Sequence, residues 1–310
     1  MTRIIIDTDP GVDDAHAIML AFAHPGVRVE AITTVAGNVG LDRTTANACT
    51  ILDALGIPLG QTPIFAGCDR ALVGSDSRAA HVHGDDGLGN SHYPPSPRPV
   101  EKEHAALALI RMATQSPGEI SLVAIGPLTN VALATRLDPS LPQKFKRLVV
   151  MGGAIRGTGN MPNPSTEFNI YTDPEAAAIV FQSWPGLWLL SWETTLNYAI
   201  SSEQVQEMLN AGTPKAEFFR RLTEHTLEFV RQRGRSGLFA PDPLAMAVVV
   251  QPDLVTKSEL RAVAVELHGA HTRGQTTVDW FGLTGHASTV NIVLELNYER
   301  FWKMMRAAIA

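Results

Sequence analysis

Two cysteines, Cys49 and Cys68, are all that 310 residues contain. They are too few and too isolated for a disulfide framework, and no Cys-x-x-Cys or His-x-x-Cys spacing among the ten histidines suggests zinc. No basic run stands against the net charge of −6, so nucleic acid is not an expected partner. No apolar run reaches the roughly 18–20 residues of a membrane span, and no membrane association is expected. Met-Thr-Arg leads straight into Ile-Ile-Ile-Asp without a charged n-region, an apolar h-region or a cleavage site. Together with the sparse cysteines this predicts a cytoplasmic protein. Repeats, low-complexity tracts and linkers are also missing, which predicts one domain over residues 1–310.

What the chain does have is acid in an unusual place. Ile4-Ile5-Ile6 breaks into Asp7-Thr8-Asp9-Pro10-Gly11-Val12-Asp13-Asp14, four carboxylates at the end of one apolar run. Two like charges about 4 Å apart repel by roughly 4 kcal/mol at an effective dielectric near 20. Capping and the helix dipole account for Asp13 and Asp14, and a turn accounts for Asp9-Pro10-Gly11. Neither explains why so many acids converge. Oxygen-only ligands select a hard cation, Ca²⁺ or Mg²⁺, so the stretch reads as a metal site on a strand end.

Around this loop, β-branched runs alternate with helical patterns. Strands are predicted at Arg3–Asp7, Val27–Val35, Ile120–Ala124 and Leu148–Met151, and helices at Asp13–His24, Asp42–Leu55, Glu103–Thr114 and Leu128–Leu137. Such alternation predicts an α/β fold with a mostly parallel central sheet flanked by helices on both faces. The helix from Asp14 is apolar nearly all round and is expected to be buried. Its acidic start then lies at the carboxyl edge of the sheet, where open α/β sheets bind ligands. Two long irregular stretches, Ala66–Val100 and Gly152–Thr172, are candidates for functional loops. Further on, the pattern predicts a helix after Asp173, a strand near Leu187–Ser191 and one long helical region from Ser202 to about Arg233. The tail reads as strands at Leu260–Leu267, Thr276–Asp279 and Thr289–Leu296, then a helix around Tyr298–Ile309.

Three more polar clusters follow strand-like runs: Val35-Ala36-Gly37-Asn38, Ile125-Gly126-Pro127-Leu128-Thr129-Asn130, and Met151-Gly152-Gly153 leading through Asn160 to Glu167-Phe168-Asn169. Carboxylates and amides beside a metal suit a polyhydroxyl ligand, whose hydroxyls both donate and accept. In this order, with Asp-Pro-Glu-Ala-Ala at 173–177, Asp-Pro-Leu-Ala at 242–245 and Arg-Gly-Gln-Thr-Thr-Val-Asp at 273–279, the motifs resemble the inosine/uridine-preferring nucleoside hydrolase family over nearly the whole chain.

That resemblance implies a Rossmann-like nucleoside hydrolase fold, one Ca²⁺ at the carboxyl edge, and hydrolysis of the N-glycosidic bond of ribonucleosides. Asp9 resembles the metal ligand that also takes the proton from the attacking water, and Asp14 a bidentate calcium ligand. Ile125 resembles a main-chain carbonyl ligand, and Asp242 supplies the remaining carboxylate. Asp13, Asn38, Asn160, Glu167, Asn169 and Asp242 resemble the residues around the ribose, while Asp7 reads as a supporting acid. The family also implies a homodimer or homotetramer.

The chain departs from the family twice. Many members carry a His immediately before the late Asp, placed to protonate the leaving base; here that residue is Pro241. His83 and His225 are the candidate replacements, each with a structural reading beside it. Asn160 and Glu167 stand one residue further apart than is usual in the family, with Asn163 as the alternative to Asn160. Arg231, Arg233 and Arg235 read as solvated charges at a helix end, or as part of a lid over the base. Two other functions fit parts of the pattern. Asp7-Thr8-Asp9 matches the spacing of Mg²⁺-dependent phosphotransfer enzymes of the haloacid-dehalogenase type, though Gly11 and Asp13-Asp14 do not fit, and Pro241 allows a binder without turnover.

Overall fold

A computed structural model of the chain describes residues 1–74 and 78–310. Its first half contains β1 (Thr2–Thr8), α1 (Val12–Ala23), β2 (Val27–Thr34), α2 (Leu41–Ala54), β3 (Ile64–Ala66), α3 (Ala80–His83), α4 (Ala105–Gln115), β4 (Ile120–Ala124), α5 (Thr129–Leu137), α6 (Leu141–Lys144) and β5 (Arg147–Met151). The second half contains α7 (Phe168–Thr172), α8 (Pro174–Ser183), β6 (Leu187–Leu190), α9 (Trp192–Leu196), α10 (Ser202–Leu209), α11 (Pro214–Gln232), α12 (Pro241–Val250), β7 (Val255–Arg261), β8 (Val263–Val265), β9 (Thr276–Val278), β10 (Val290–Leu296) and α13 (Tyr298–Ala308).

Eight strands form one sheet in the order β3-β2-β1-β4-β5-β6-β10-β7, parallel throughout except that β7 runs antiparallel on the edge; β8 and β9 make a separate hairpin. Alternation along β1 sends Ile4 and Ile6 into one helical layer and Ile5 into the other. Both faces are therefore covered, and β1 can be a continuous apolar run. The first layer gathers α1, α2, α11, α12 and α13, and the second gathers α4, α5 and α8. From β1 the chain builds outward through β2 and β3, then crosses to β4 and builds the other way. The strand order thus reverses between β1 and β4, and the crevice at that switch point is where such sheets take ligands. Asp9 follows β1 and Ile125 follows β4.

The predicted mostly parallel α/β fold is borne out, with local corrections. The region from Ser202 to Arg233 is two helices, not one: Gly212 adopts a φ of 73°, Thr213 caps the Ala216 N–H, and Pro214 starts α11. Leu260–Leu267 divides between β7 and β8. Helix α12 has every residue buried, so its sequence carries no amphipathic period to reveal it. The two long loops contain only short helices, α3 and α7, and residues 75–77 of the first lie outside the described residues.

Candidate active site

Asp9 sits one residue beyond β1, and its carboxylate fits there only because two neighbours lack side chains. A Cβ on Gly37 would lie 2.0 Å from Asp9 Oδ2, and one on Gly126 would lie 2.5 Å from Oδ1. Oδ2 accepts the Asn38 N–H at 2.7 Å, while Oδ1 is buried without a partner. Asp14, in the first turn of α1, accepts from Thr8 Oγ1, the Gly11 N–H and Asn38 Nδ2. Asp242 occupies the first turn of α12, immediately after Pro241 at the first helical position. Two helix N-termini therefore direct their positive dipole ends at one acidic cluster.

Asp13, Asp14 and Asp242 bring ligand oxygens within 4.8 Å of one another. Burial, followed by mutual repulsion, pushes Asp9 and Asp242 well above the usual carboxylate range. Burial likewise raises Asp13 and Asp14 to about 6. Negative oxygens packed this closely fit a divalent hard cation, and Asp9 Oδ1 and Asp13 Oδ1, buried without a hydrogen-bond partner (the latter 3.7 Å from His83 Nδ1), are ready acceptors for one. The trio differs from the set implied by resemblance. Asp13, expected at the ribose, stands with the metal candidates, whereas Asp9 is not in the trio.

Above the cluster opens a cavity of about 460 Å³, the size of a small-molecule site. Asp13, Asn38, Ile125, Asn160, Glu167, Asn169 and Asp242 all line it. Glu167 caps α7, accepting the N–H groups of Asn169, Gly153 and Ile170. Burial nonetheless raises it to about 7. Asn169 donates its amide to the Ile125 and Met151 carbonyls, leaving its side-chain oxygen as the free end. Ile125 keeps a second lone pair for another partner. Asn160 reaches the cavity because Gly159 lets the chain pass against Thr166; Asn163 instead donates to the Arg273 carbonyl.

The histidines divide. His83 lines the cavity, and its Nδ1 accepts the Val12 N–H at 3.1 Å. Its proton therefore resides on Nε2, and burial lowers its pKa to about 4. It is a neutral hydrogen-bond donor rather than a charged acid. His225 lies on α11 with Nε2 buried and unpartnered, and it is not among the residues that line the cavity, although its neighbour Thr226 is. His16, which the sequence reading passed over, does line the wall. Thr223 spends its hydroxyl proton on the Phe219 carbonyl, so His16 Nε2 must be the donor to it. A histidine three residues after Asp13 was the available signal.

Asp7 lies beneath the loop with no solvent exposure, bonded to Thr33 Oγ1 at 2.6 Å and Asn130 Nδ2 at 2.9 Å. It cannot reach a substrate, which removes the nucleophile required by the phosphotransfer reading. Asn130 also donates to the Thr34 carbonyl and accepts the Cys68 N–H, tying β1, β2 and the β3 exit together.

The family model described as "Inosine-uridine preferring nucleoside hydrolase" matches residues 4–303. A relative of that description from Leishmania major is 37% identical, covering 99% of this chain and 97% of its own length. The "Pyrimidine-specific ribonucleoside hydrolase RihB" of Escherichia coli O157:H7 is 34% identical over 99% of this chain and 96% of its own. A solved "Inosine-Guanosine Nucleoside Hydrolase" superposes with a TM-score of 0.91 at 35% identity, covering 99% of this chain and 98% of that one. With the acidic cluster at the switch point and this agreement along its length, the chain belongs to the inosine-uridine preferring nucleoside hydrolase family.

Proposed function

We infer that the chain is a ribonucleoside hydrolase that cleaves the N-glycosidic bond with water, giving free base and ribose. The observation that carries this is the buried, unpartnered Asp9 Oδ1 beside the carboxylates of Asp13, Asp14 and Asp242, under a cavity of nucleoside size. Calcium as the ion, held by Asp14, Asp242, the Ile125 carbonyl and Asp9 or Asp13, belongs to this reading, as does a homo-oligomeric assembly. A divalent ion held there supplies the positive charge that acidifies a nearby water.

The chain's own groups do the rest. Asp9 Oδ2 is fixed by the Asn38 N–H, so Oδ1 is the atom that takes the water's proton. The free Asn169 oxygen, Asn160 and Asp13 hold the ribose hydroxyls, and the neutral His83 offers Nε2–H as a donor. As C1′ parts from the base it gains oxocarbenium character, which the surrounding carboxylates stabilise. Trp192, Phe168, Phe229 and Phe239 line the cavity and provide apolar surface for a planar base.

The test is ribose release from inosine, guanosine, adenosine, uridine and cytidine, with 2′-deoxyinosine alongside. Release from at least one ribonucleoside is expected. The deoxy analogue should react at least about 100-fold more slowly, because buried polar groups would be left unpaired. Tight nucleoside binding without any release would favour the binder suggested by Pro241.

A further inference from the structure

Pro241 stands where many family members carry the leaving-group histidine, and the histidines on the cavity wall, His81, 5.6 Å from the Phe229 ring, and His83, are both pushed towards the neutral form by burial. Pro241 lines the wall with no proton to give, His83 Nδ1 is occupied by the Val12 N–H, and His16 Nε2 is committed to Thr223. Among the described lining residues, the permanent cations are Arg233 and Arg235. Arg233 lies one helical turn beyond Phe229, with its guanidinium carbon 3.5 Å from that ring's centroid. Because Phe229 also lines the cavity, the stack holds the guanidinium plane against the wall. Among the described residues, only one of its five N–H donors is engaged, by a 3.5 Å contact to the Phe229 carbonyl. Glu228 on the same turn is taken by Arg231 and Gln232. Arg235 is held less firmly, 5.9 Å from Phe239 and between two positive-φ glycines, Gly234 and Gly237.

We propose that Arg233 reads the departing base, its guanidinium fork donating to the adjacent oxygen and nitrogen acceptors of an oxopurine, so that inosine- and guanosine-type nucleosides are the preferred substrates. This rests on the ribonucleoside hydrolase reading. An oxopurine sets O6 beside N7 as paired acceptors on an edge away from the sugar, whereas adenine replaces one with an amino donor, uracil places an N–H between its two oxygens, and the N3–O2 pair of cytosine lies on the side of the glycosidic bond. As the C1′–N9 bond breaks, its electron pair passes to the base and spreads towards N7 and O6. Meanwhile the water oxygen bonds to C1′ and a water proton passes to Asp9. Arg233 stabilises the anion without losing a proton. The base then takes a proton from solvent, and Asp9 returns its own to solvent.

The experiment compares kcat/KM for inosine, adenosine and p-nitrophenyl β-D-ribofuranoside, whose leaving group presents no purine edge. The wild-type protein should favour inosine over adenosine. Arg233→Met should lower the ratio of inosine to p-nitrophenyl riboside turnover about 10- to 100-fold, and Arg233→Lys should recover only part of it. Using a ratio within each variant cancels any loss of folded protein. An unchanged ratio in Arg233→Met, or a wild-type preference for adenosine, overturns the inference and leaves the hydrolase reading standing. Ribose release from none of these compounds overturns both.

Discussion

Replacing Gly126 by alanine asks whether the position of Asp9 is set by the space around it. The new methyl would lie 2.5 Å from Asp9 Oδ1, 3.0 Å from its backbone nitrogen and 3.1 Å from its carboxyl carbon. The backbone at the end of β1 cannot give way, so the carboxylate must turn. On the far side it meets Gly37, and turning breaks the 2.7 Å bond from the Asn38 N–H. Relieving the overlap moves Oδ1 by about 1 Å, a displacement that typically costs around 100-fold in rate. Overpacking adds about 1–3 kcal/mol of destabilisation, a shift of a few degrees in Tm. Gly40→Ala is the control, since nothing lies within 4 Å of a Cβ there and its φ is −65°. The small loss at a helix N-cap is offset by reduced freedom of the unfolded chain. Steady-state kinetics on the best ribonucleoside, with thermal melts, read both effects. Gly126→Ala activity within threefold of Gly40→Ala would refute the argument that Asp9 is held by the absence of neighbouring side chains.

Two further outcomes follow from the same geometry. In chelator, the melting temperature should fall between pH 6.5 and pH 8. Carboxylates whose folded pKa is raised stabilise below the unfolded pKa and lose that contribution as pH rises through the folded value; Glu167, raised to about 7, titrates in this window, and Asp9 and Asp242, raised well above the usual carboxylate range, act in the same direction. His16 and His83, depressed to about 3 and 4, oppose the trend only below their unfolded value near 6.5. Saturating Ca²⁺ should flatten the profile, and a flat profile already present in chelator contradicts the repulsion described for the cluster. Pro241→His should raise turnover of purine relative to pyrimidine nucleosides, and an unchanged ratio shows that the residue at 241 does not govern leaving-group activation.

Much of this was legible in the sequence because it depends on local order. The acidic loop, the β-branched runs and the Gly-Pro and Gly-Asn exits each follow a strand, and the parallel sheet brings those exits to one edge. What stayed hidden depended on contacts distant in sequence. That Gly37 and Gly126 are the walls around Asp9 is visible only when β2 and β4 flank β1. The grip of Asn130 on Asp7 spans 123 residues. Helix α12 carries Asp242, yet, buried on all sides, it has no polar stripe to announce it. The split at Gly212 and Pro214 was present in the sequence and was overridden by helical patterns on either side. His225 has the residue type expected of a leaving-group acid, but a residue type does not tell which α11 side chains line the cavity, and Thr226, Phe229 and Val230 are the ones that do.

The account rests on the acidic cluster existing to hold a divalent cation beside the sugar. The direct measurement is to strip the protein with chelator, establish its metal content by elemental analysis, and follow ribose release while Ca²⁺ is titrated back. The account predicts negligible release from the stripped protein and saturable recovery with about one ion per chain, both lost in Asp242→Asn. Full activity in protein shown to be free of metal would contradict it.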